Sequence, residues 1–100
     1  GHVLAYVNLA GMYLTGRGTE KNFDKAFKLY TYSAELGFAN AQNSLGNMYF
    51  DGLGTTQNYK EAAKWYELAV KQGLALASYN LAGIYSDEFR ENILAWILLP

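Results

Sequence analysis

A period of 36 residues is the feature that most constrains how this chain folds. When residues 4–39 are aligned with residues 40–75, 13 of the 36 positions are identical and no gap is needed. A third copy begins on schedule with Ala77, Leu81 and Tyr85. Repeats of this length are supersecondary units that bury their apolar residues only by stacking on their neighbours.

We divide the 100 residues into repeats of about 1–36, 37–72 and 73–100, which form a single repeat domain. The third repeat is shorter than the other two, and we expect the chain to be a fragment of a longer repeat array. Apolar residues make up 51% of the sequence, which is too many for a disordered segment. The only proline is the last residue, so no proline interrupts a helix.

The first part of each repeat has the apolar spacing of one helix face. In the second repeat, Ala41, Leu45, Met48 and Tyr49 follow the spacing i, i+4, i+7, i+8. A small residue follows the leucine in every copy, which indicates that a neighbouring helix packs closely there. Two glycines then end this helix in the first two repeats.

The second part of each repeat begins at an asparagine, a preferred residue for capping a helix N-terminus. Asn58 is followed three residues later by Glu61, which predicts a capping-box-like arrangement. Asn22 is followed by Lys25 instead, so we expect a weaker cap there. A glycine and an apolar residue predict a Schellman end for both of these helices.

The sequence thus predicts an all-α protein with two helices in each repeat. The predicted helices are residues 3–15, 23–36, 39–50, 59–72, 75–86 and 90–99. The third repeat has no glycine pair after Tyr85, and its last helix begins three residues early if Ala95 takes the place of Ala62. We therefore expect a tighter turn between the last two helices.

The second repeat, Ala41 through Ala75, carries the pattern A-x-x-x-L-G-x-x-Y-x-x-G-x-G-x-x-x-N-x-x-x-A-x-x-W-Y and ends in Gly-x-Ala. This pattern resembles the Sel-1-like repeat. The first repeat has the same pattern with Ala10 for the glycine and Leu29 for the tryptophan, and the third matches only its first helix. The tetratricopeptide repeat is the nearest alternative, but it has a period of 34 residues and often a proline near its end.

The resemblance implies a right-handed α-solenoid that acts as a non-catalytic scaffold or adaptor for a protein or peptide partner. The alternatives left open are a stacking or self-association module and, far less favoured, a β-lactam-binding hydrolase. Cysteine-rich bacterial relatives are linked to β-lactam binding, but this chain has no cysteine and no S-x-x-K motif.

Composition argues against other classes of function. His2 is the only histidine, and without cysteines or a second histidine the chain lacks the parts of a metal site or a catalytic triad. The net charge of −1 gives no reason to expect nucleic acid as a partner. We predict no cofactor and no membrane insertion. No signal peptide or transmembrane segment is visible, and the compartment stays unknown.

Aromatic residues and methionines recur in register, which indicates core packing. Those expected in the core are Tyr13, Tyr30, Tyr49, Tyr66, Tyr85, Trp65, Met12 and Met48.

In related helix-pair solenoids the first helices line the concave face, which is the predicted partner-binding surface. Asn40, Asn43 and Asn47 lie at i, i+3 and i+7, so we expect one face to present amides that pair with a peptide backbone. The candidate binding residues are Val7, Gly11, Leu14, Asn40, Asn43, Asn47, Phe50, Asp51, Tyr79 and Gly83.

The last predicted helix has almost no polar face. Ile93, Trp96 and Ile97 are its candidate self-association residues, because a helix that is apolar all round requires cover on more than one side. Terminal repeats of solenoids normally have a polar outer face, so we expect the isolated chain to aggregate or form a homo-oligomer.

Overall fold

The computed structural model describes residues 2–99, which form five α-helices and no strand. The helices are α1 (His2–Thr15), α2 (Phe23–Glu35), α3 (Ala39–Asp51), α4 (Tyr59–Lys71) and α5 (Ala75–Ile97). The first four agree with the predicted helices to within about one residue at each end. The period and the helix spacing of the sequence are therefore sufficient to place two helix pairs.

The helices stack one after another into an elongated body. Each helix packs mainly on its neighbours in the chain, in the order α1, α2, α3, α4, α5. The body measures 55 × 29 × 18 Å, and its radius of gyration of 15.2 Å exceeds the roughly 13 Å of a compact domain of this length. This is the shape of a solenoid, in which each unit is stabilised by the next.

Helix α3 lies at the centre of the packing. Its residues Ala41, Leu45 and Met48 are at most 1% exposed, and they pack with Ala26 and Tyr30 of α2. A second cluster joins α4 to α5 through residues that include Tyr66 and Ile84. Most of the core therefore lies between the two helix pairs, where helices from both sides cover α3.

The expected core positions are filled unevenly. Tyr30 and Tyr66 are buried, and Tyr13, Tyr49 and Trp65 are half-buried against the clusters, as predicted. Met12 and Tyr85 are 37% and 48% exposed, so their assignment to the core was wrong. Both lie on outer helices, which have a packed neighbour on fewer sides than α3.

The small residue after Leu45 allows α4 to approach α3 closely. A Cβ atom added to Gly46 would lie 2.5 Å from Cε1 of Tyr66, well inside van der Waals contact. The tyrosine ring, only 2% exposed, thus occupies the space that a side chain at this position would need. The sequence prediction of a close helix contact is confirmed here.

The asparagine caps form, but not as capping boxes. Asn58 accepts a hydrogen bond from the Glu61 amide at 3.1 Å, and Asn22 accepts one from the Lys25 amide at 3.0 Å. The Asn58 amide donates to the carbonyl of Tyr49, so Glu61 does not bond to it, and the predicted box is wrong. The two caps have the same geometry, so no weaker cap at Asn22 is evident.

The second helices end in Schellman motifs, as predicted. Gly37 has a φ of +92°, and its amide donates to Ala34, while the Phe38 amide donates to Ser33. A side-chain tie adds to this junction, because Gln72 donates to both the Gly37 carbonyl and the Gln42 side chain, at 2.8 and 2.9 Å. The end of α4 is thereby fixed to the boundary between the first two repeats.

The predicted turn between residues 86 and 90 is wrong, because α5 continues without a break to Ile97. The segment has neither of the glycines that end α1 and α3, and no proline before its end. Charged residues favour helix there, and Asp87 lies 4.0 Å from Arg90 in an i,i+3 pair. The third repeat therefore has a first helix but no separate second helix.

Replacing Gly46 with alanine tests the close contact. We expect the Cβ to displace the Tyr66 ring and to lower the free energy of unfolding by about 1–3 kcal/mol, measured by urea denaturation. The matched control is Gly83→Ala in α5, where nothing lies within 4 Å, and we expect it to gain up to about 1 kcal/mol from helix propensity. Equal stability of the two variants would contradict the contact.

Replacing either cap asparagine with alanine tests the helix starts. We expect Asn22→Ala and Asn58→Ala each to cost about 1 kcal/mol, because each leaves one amide of the first turn without a partner. Asn92→Ala is the control, since this exposed residue lies inside α5 and caps nothing. Thermal unfolding by circular dichroism measures all three, and a much smaller loss for Asn22→Ala would restore the sequence prediction.

Candidate functional site

A groove of about 510 Å³ lies between α3 and α5, the first helices of the second and third repeats. Tyr66 of α4 also lines it, so α3, α4 and α5 all contribute. Its lining residues are Asn47, Phe50, Asp51, Tyr66, Tyr79, Asn80, Ala82, Gly83, Ser86 and Asp87. We call this surface the α3/α5 groove.

Side-chain amides connect the two walls of the groove. The Asn80 Nδ2 donates to Oδ1 of Asn43 at 3.0 Å and reaches Oδ1 of Asn47 at 3.4 Å. The hydroxyl of Tyr66 also donates to Oδ1 of Asn47. Asn43 is buried, whereas Asn47 is exposed. The network holds Asn47 in place while leaving part of its amide in solvent, where it can pair with a backbone amide or carbonyl of another chain.

Aromatic rings and carboxylates complete the lining. Phe50 is half-buried, and its ring centroid lies 5.1 Å from that of Tyr59, which fixes it in place. Tyr79 is 79% exposed and offers an apolar surface with a polar tip. Asp51 and Asp87 are both exposed, and no lysine or arginine lines the groove. The lining therefore carries negative charge beside flat apolar surfaces.

Tyr66 experiences both the burial and the charge of this region. Burial and, as the smaller cause, the nearby carboxylate of Asp51 together raise the pKa of its phenol to about 12. Ionisation of the phenol is unfavourable where solvent is excluded and a like charge is close. Tyr66 is therefore a neutral hydrogen-bond donor to Asn47 at physiological pH.

The structure brings together half of the candidate binding residues chosen from the sequence. Asn47, Phe50, Asp51, Tyr79 and Gly83 all line the α3/α5 groove.

The other candidates lie elsewhere. Asn43 is only 5% exposed and is a structural member of the amide network, so the expectation that it projects with Asn47 into solvent was wrong. Asn40 is exposed but does not line the groove. On α1, Val7 and Leu14 are half-buried against the first core cluster, and Gly11 is half-buried.

Five lining residues were not among the candidates, namely Tyr66, Asn80, Ala82, Ser86 and Asp87. Asn80 and Asp87 lie at i and i+7 with Gly83 between them at i+3, the same spacing that singled out the asparagines of α3. That spacing could have found them. Tyr66 was assigned only to the core, because periodicity does not reveal that its hydroxyl reaches the surface of a first helix.

In residues 2–99, no group of three or more histidine, aspartate or glutamate side chains is placed to hold a metal ion. Within the same range, no helix has the length and apolarity needed to cross a membrane.

Stacked helix pairs with a 36-residue period define a helical-repeat solenoid. The family model described as Sel1 repeat matches residues 3–38 and 39–74, and the chain belongs to this family. The match supports the Sel1 repeat over the tetratricopeptide alternative. Sel1 repeats are generally protein-interaction scaffolds and are typically non-catalytic.

Two solved structures have the same fold. A Sel1 repeat protein from Oxalobacter formigenes is 36% identical with a TM-score of 0.78, and the match covers 81% of this chain and 61% of that one. The protein c5321, a protective antigen of uropathogenic Escherichia coli strains with an SLR fold, is 30% identical with a TM-score of 0.83, over 89% of this chain and 19% of that one. The chain thus spans less than two thirds of either neighbour. No curated protein sequence matches it.

The raised pKa of Tyr66 predicts a stability change at high pH. The folded pKa of about 12 exceeds the unfolded value of about 10, so the tyrosine favours folding fully below pH 10 and progressively less as the pH rises toward 12. Urea denaturation between pH 9 and pH 12 measures the loss. We expect Tyr66→Phe to remove part of this pH dependence. Parallel pH profiles for wild type and Tyr66→Phe would contradict the assignment.

Proposed function

We propose that the α3/α5 groove binds an extended segment of a partner protein, as part of a non-catalytic scaffold whose first helices form a concave face. One observation carries the proposal: the groove combines the exposed amide of Asn47, an exposed tyrosine and exposed carboxylates along two helices. Amides can pair with the backbone of an extended peptide without selecting its sequence. The known role of Sel1 repeats as protein-interaction scaffolds supports the same function.

The charges of the groove suggest which peptides bind best. Asp51 and Asp87 are not matched by any cation among the lining residues, although Asp87 has Arg90 4.0 Å away. An arginine or lysine of the partner would meet a carboxylate there, and the faces of Phe50 and Tyr79 would support its aliphatic stem or its charge. We therefore expect a segment with basic and apolar residues, bound more weakly as salt concentration rises.

A peptide-display selection against the chain, followed by calorimetry, tests this function. We expect Tyr79→Ala and Asp51→Asn each to weaken binding of the selected peptides by about tenfold, because each removes a contact within the groove. Tyr32→Ala and Glu35→Gln on α2 are matched controls, being exposed residues of the same kinds outside the groove, and they should leave the affinity unchanged.

Asn43 needs separate treatment in this experiment. Because it is buried and bonded to Asn80, Asn43→Ala disturbs the groove wall, whereas Asn47→Ala removes an amide that faces solvent. Selected peptides that bind wild type and all of the groove variants equally would contradict the proposal, as would affinity lost only in the α2 controls.

A further inference from the structure

One face of α5 is exposed, whereas the equivalent face of α3 is covered by α4. On α3, Gln42 is bonded to the end of α4, Gly46 lies under the Tyr66 ring, and Phe50 packs against the second cluster. All of these positions are buried or half-buried. The residues 36 positions later on α5 are exposed, namely Ser78, Ala82 and Ser86. Helix α5 therefore carries a docking face for a second helix, and no helix within residues 2–99 covers it.

A cleft of about 440 Å³ lies beside this face, between α4 and α5. Its apolar lining comes from Phe50, Tyr59, Ala63, Ile84 and Tyr85. We call it the α4/α5 cleft.

The preceding repeat shows what fills the equivalent place. Between α2 and α3, the loop after α3 brings Gly54 against Phe23, and Leu53 packs on the first cluster. The ring of Phe27 also lies there, 5.4 Å from that of Tyr49 in an edge-to-face pair. The third repeat has no such loop, and Ala63 stands where Phe27 would be. The cleft is therefore the unfilled equivalent of a packed site.

The chain has apolar side chains that could fill the cleft, but none of them lines it. The second half of α5 and the two residues after it expose large apolar side chains, with exposed fractions from 41% to 78%. These are Phe89, Ile93, Leu94, Trp96, Ile97, Leu98 and Leu99. Because α5 is one continuous helix, Ile97 lies about 18 Å along the helix axis from Tyr85. The segment cannot cover the face of its own helix, whereas it can cover that of a second copy.

We propose that two copies of the chain pair reciprocally, each placing its residues 89–99 over the other's α5 face and α4/α5 cleft. Such an exchange makes a closed twofold interface, in which both copies bury the same segment and fill the same cleft. A stable interface buries about 800 Å² on each partner, and seven large exposed side chains offer roughly that area.

Sedimentation velocity of the full chain over a range of concentrations tests the pairing. We expect a monomer–dimer equilibrium. Ile97→Glu should weaken the dimer affinity by about tenfold or more, because it places a carboxylate where the dimer buries an apolar side chain. Leu36→Glu is the matched control, since Leu36, the C-cap residue of α2, is 56% exposed and Ile97 is 63% exposed, and it should leave the dimer intact. Circular dichroism checks that both variants retain their helix content.

Filling the cleft from within the same chain gives a second test. We expect Ala63→Phe, which installs the residue that the first repeat has at this position, to weaken the dimer by about tenfold, while Ala63→Ser leaves it unchanged. The absence of native cysteines allows a third test, in which chains with Ala63→Cys are mixed with chains with Ile97→Cys. Oxidation should join the two different chains faster than it joins like chains.

Several results would overturn the proposal. These are a monomer at every concentration, a dimer equally weakened by Leu36→Glu, and no preferential disulfide between the mixed chains. A disulfide within one chain carrying both cysteines would also overturn it, by showing that the segment folds back on its own cleft. The α5 face shares Ala82 and Ser86 with the α3/α5 groove, so a second copy and a bound peptide compete for these residues. The two proposals still fail separately, because Asp51→Asn on α3 should weaken peptide binding and leave the dimer unchanged.

Discussion

The structure depends on the burial of α3 between α2 and α4. On one side Leu45 and Met48 pack against α2, and on the other Gly46 lets the Tyr66 ring lie directly against the helix backbone. The small residue at this position determines how close α4 comes. That distance in turn places the Tyr66 hydroxyl on Asn47, and so connects the core to the α3/α5 groove. A change at Gly46 is therefore felt both in stability and at the surface proposed to bind a partner.

Much of this fold follows from local signals that are repeated at a fixed period. The apolar stripe, the cap asparagines and the terminal glycines each act within one helix, so the sequence is sufficient to place the first four helices. The course of α5 is different, because a helix continues unless something stops it. Residues 86–92 have no glycine or proline, so nothing local ends the helix there. The turn was predicted only because the first two repeats each consist of a helix pair. The exposure of Met12 and Tyr85 was also not predictable from the period. The same residue types occur at the equivalent positions of α3, Met48 and Tyr49, and are more buried only because helices pack on both sides of α3.

The groove was partly predictable for the same reason. Helical spacing identified Asn47 and would have identified Asn80 and Asp87, but it cannot distinguish an amide that faces solvent from one that is used internally. Asn43 illustrates the difference: it shares a face with Asn47, yet Asn80 covers it and takes its hydrogen bond. Core and surface are thus joined by one amide network, which supports a rigid groove rather than a flexible patch. A rigid groove loses less entropy on binding an extended segment.

The central claim is that the α3/α5 groove is the surface that binds a partner segment, and NMR mapping tests it most directly. Titrating a selected peptide into isotope-labelled chain reports every backbone amide and every asparagine side chain at once. We expect the largest chemical-shift changes at the side-chain amides of Asn47 and Asn80 and at the backbone amides around Tyr79 and Gly83. Shifts confined to α1 and α2, with the groove amides unchanged in the bound state, would contradict it.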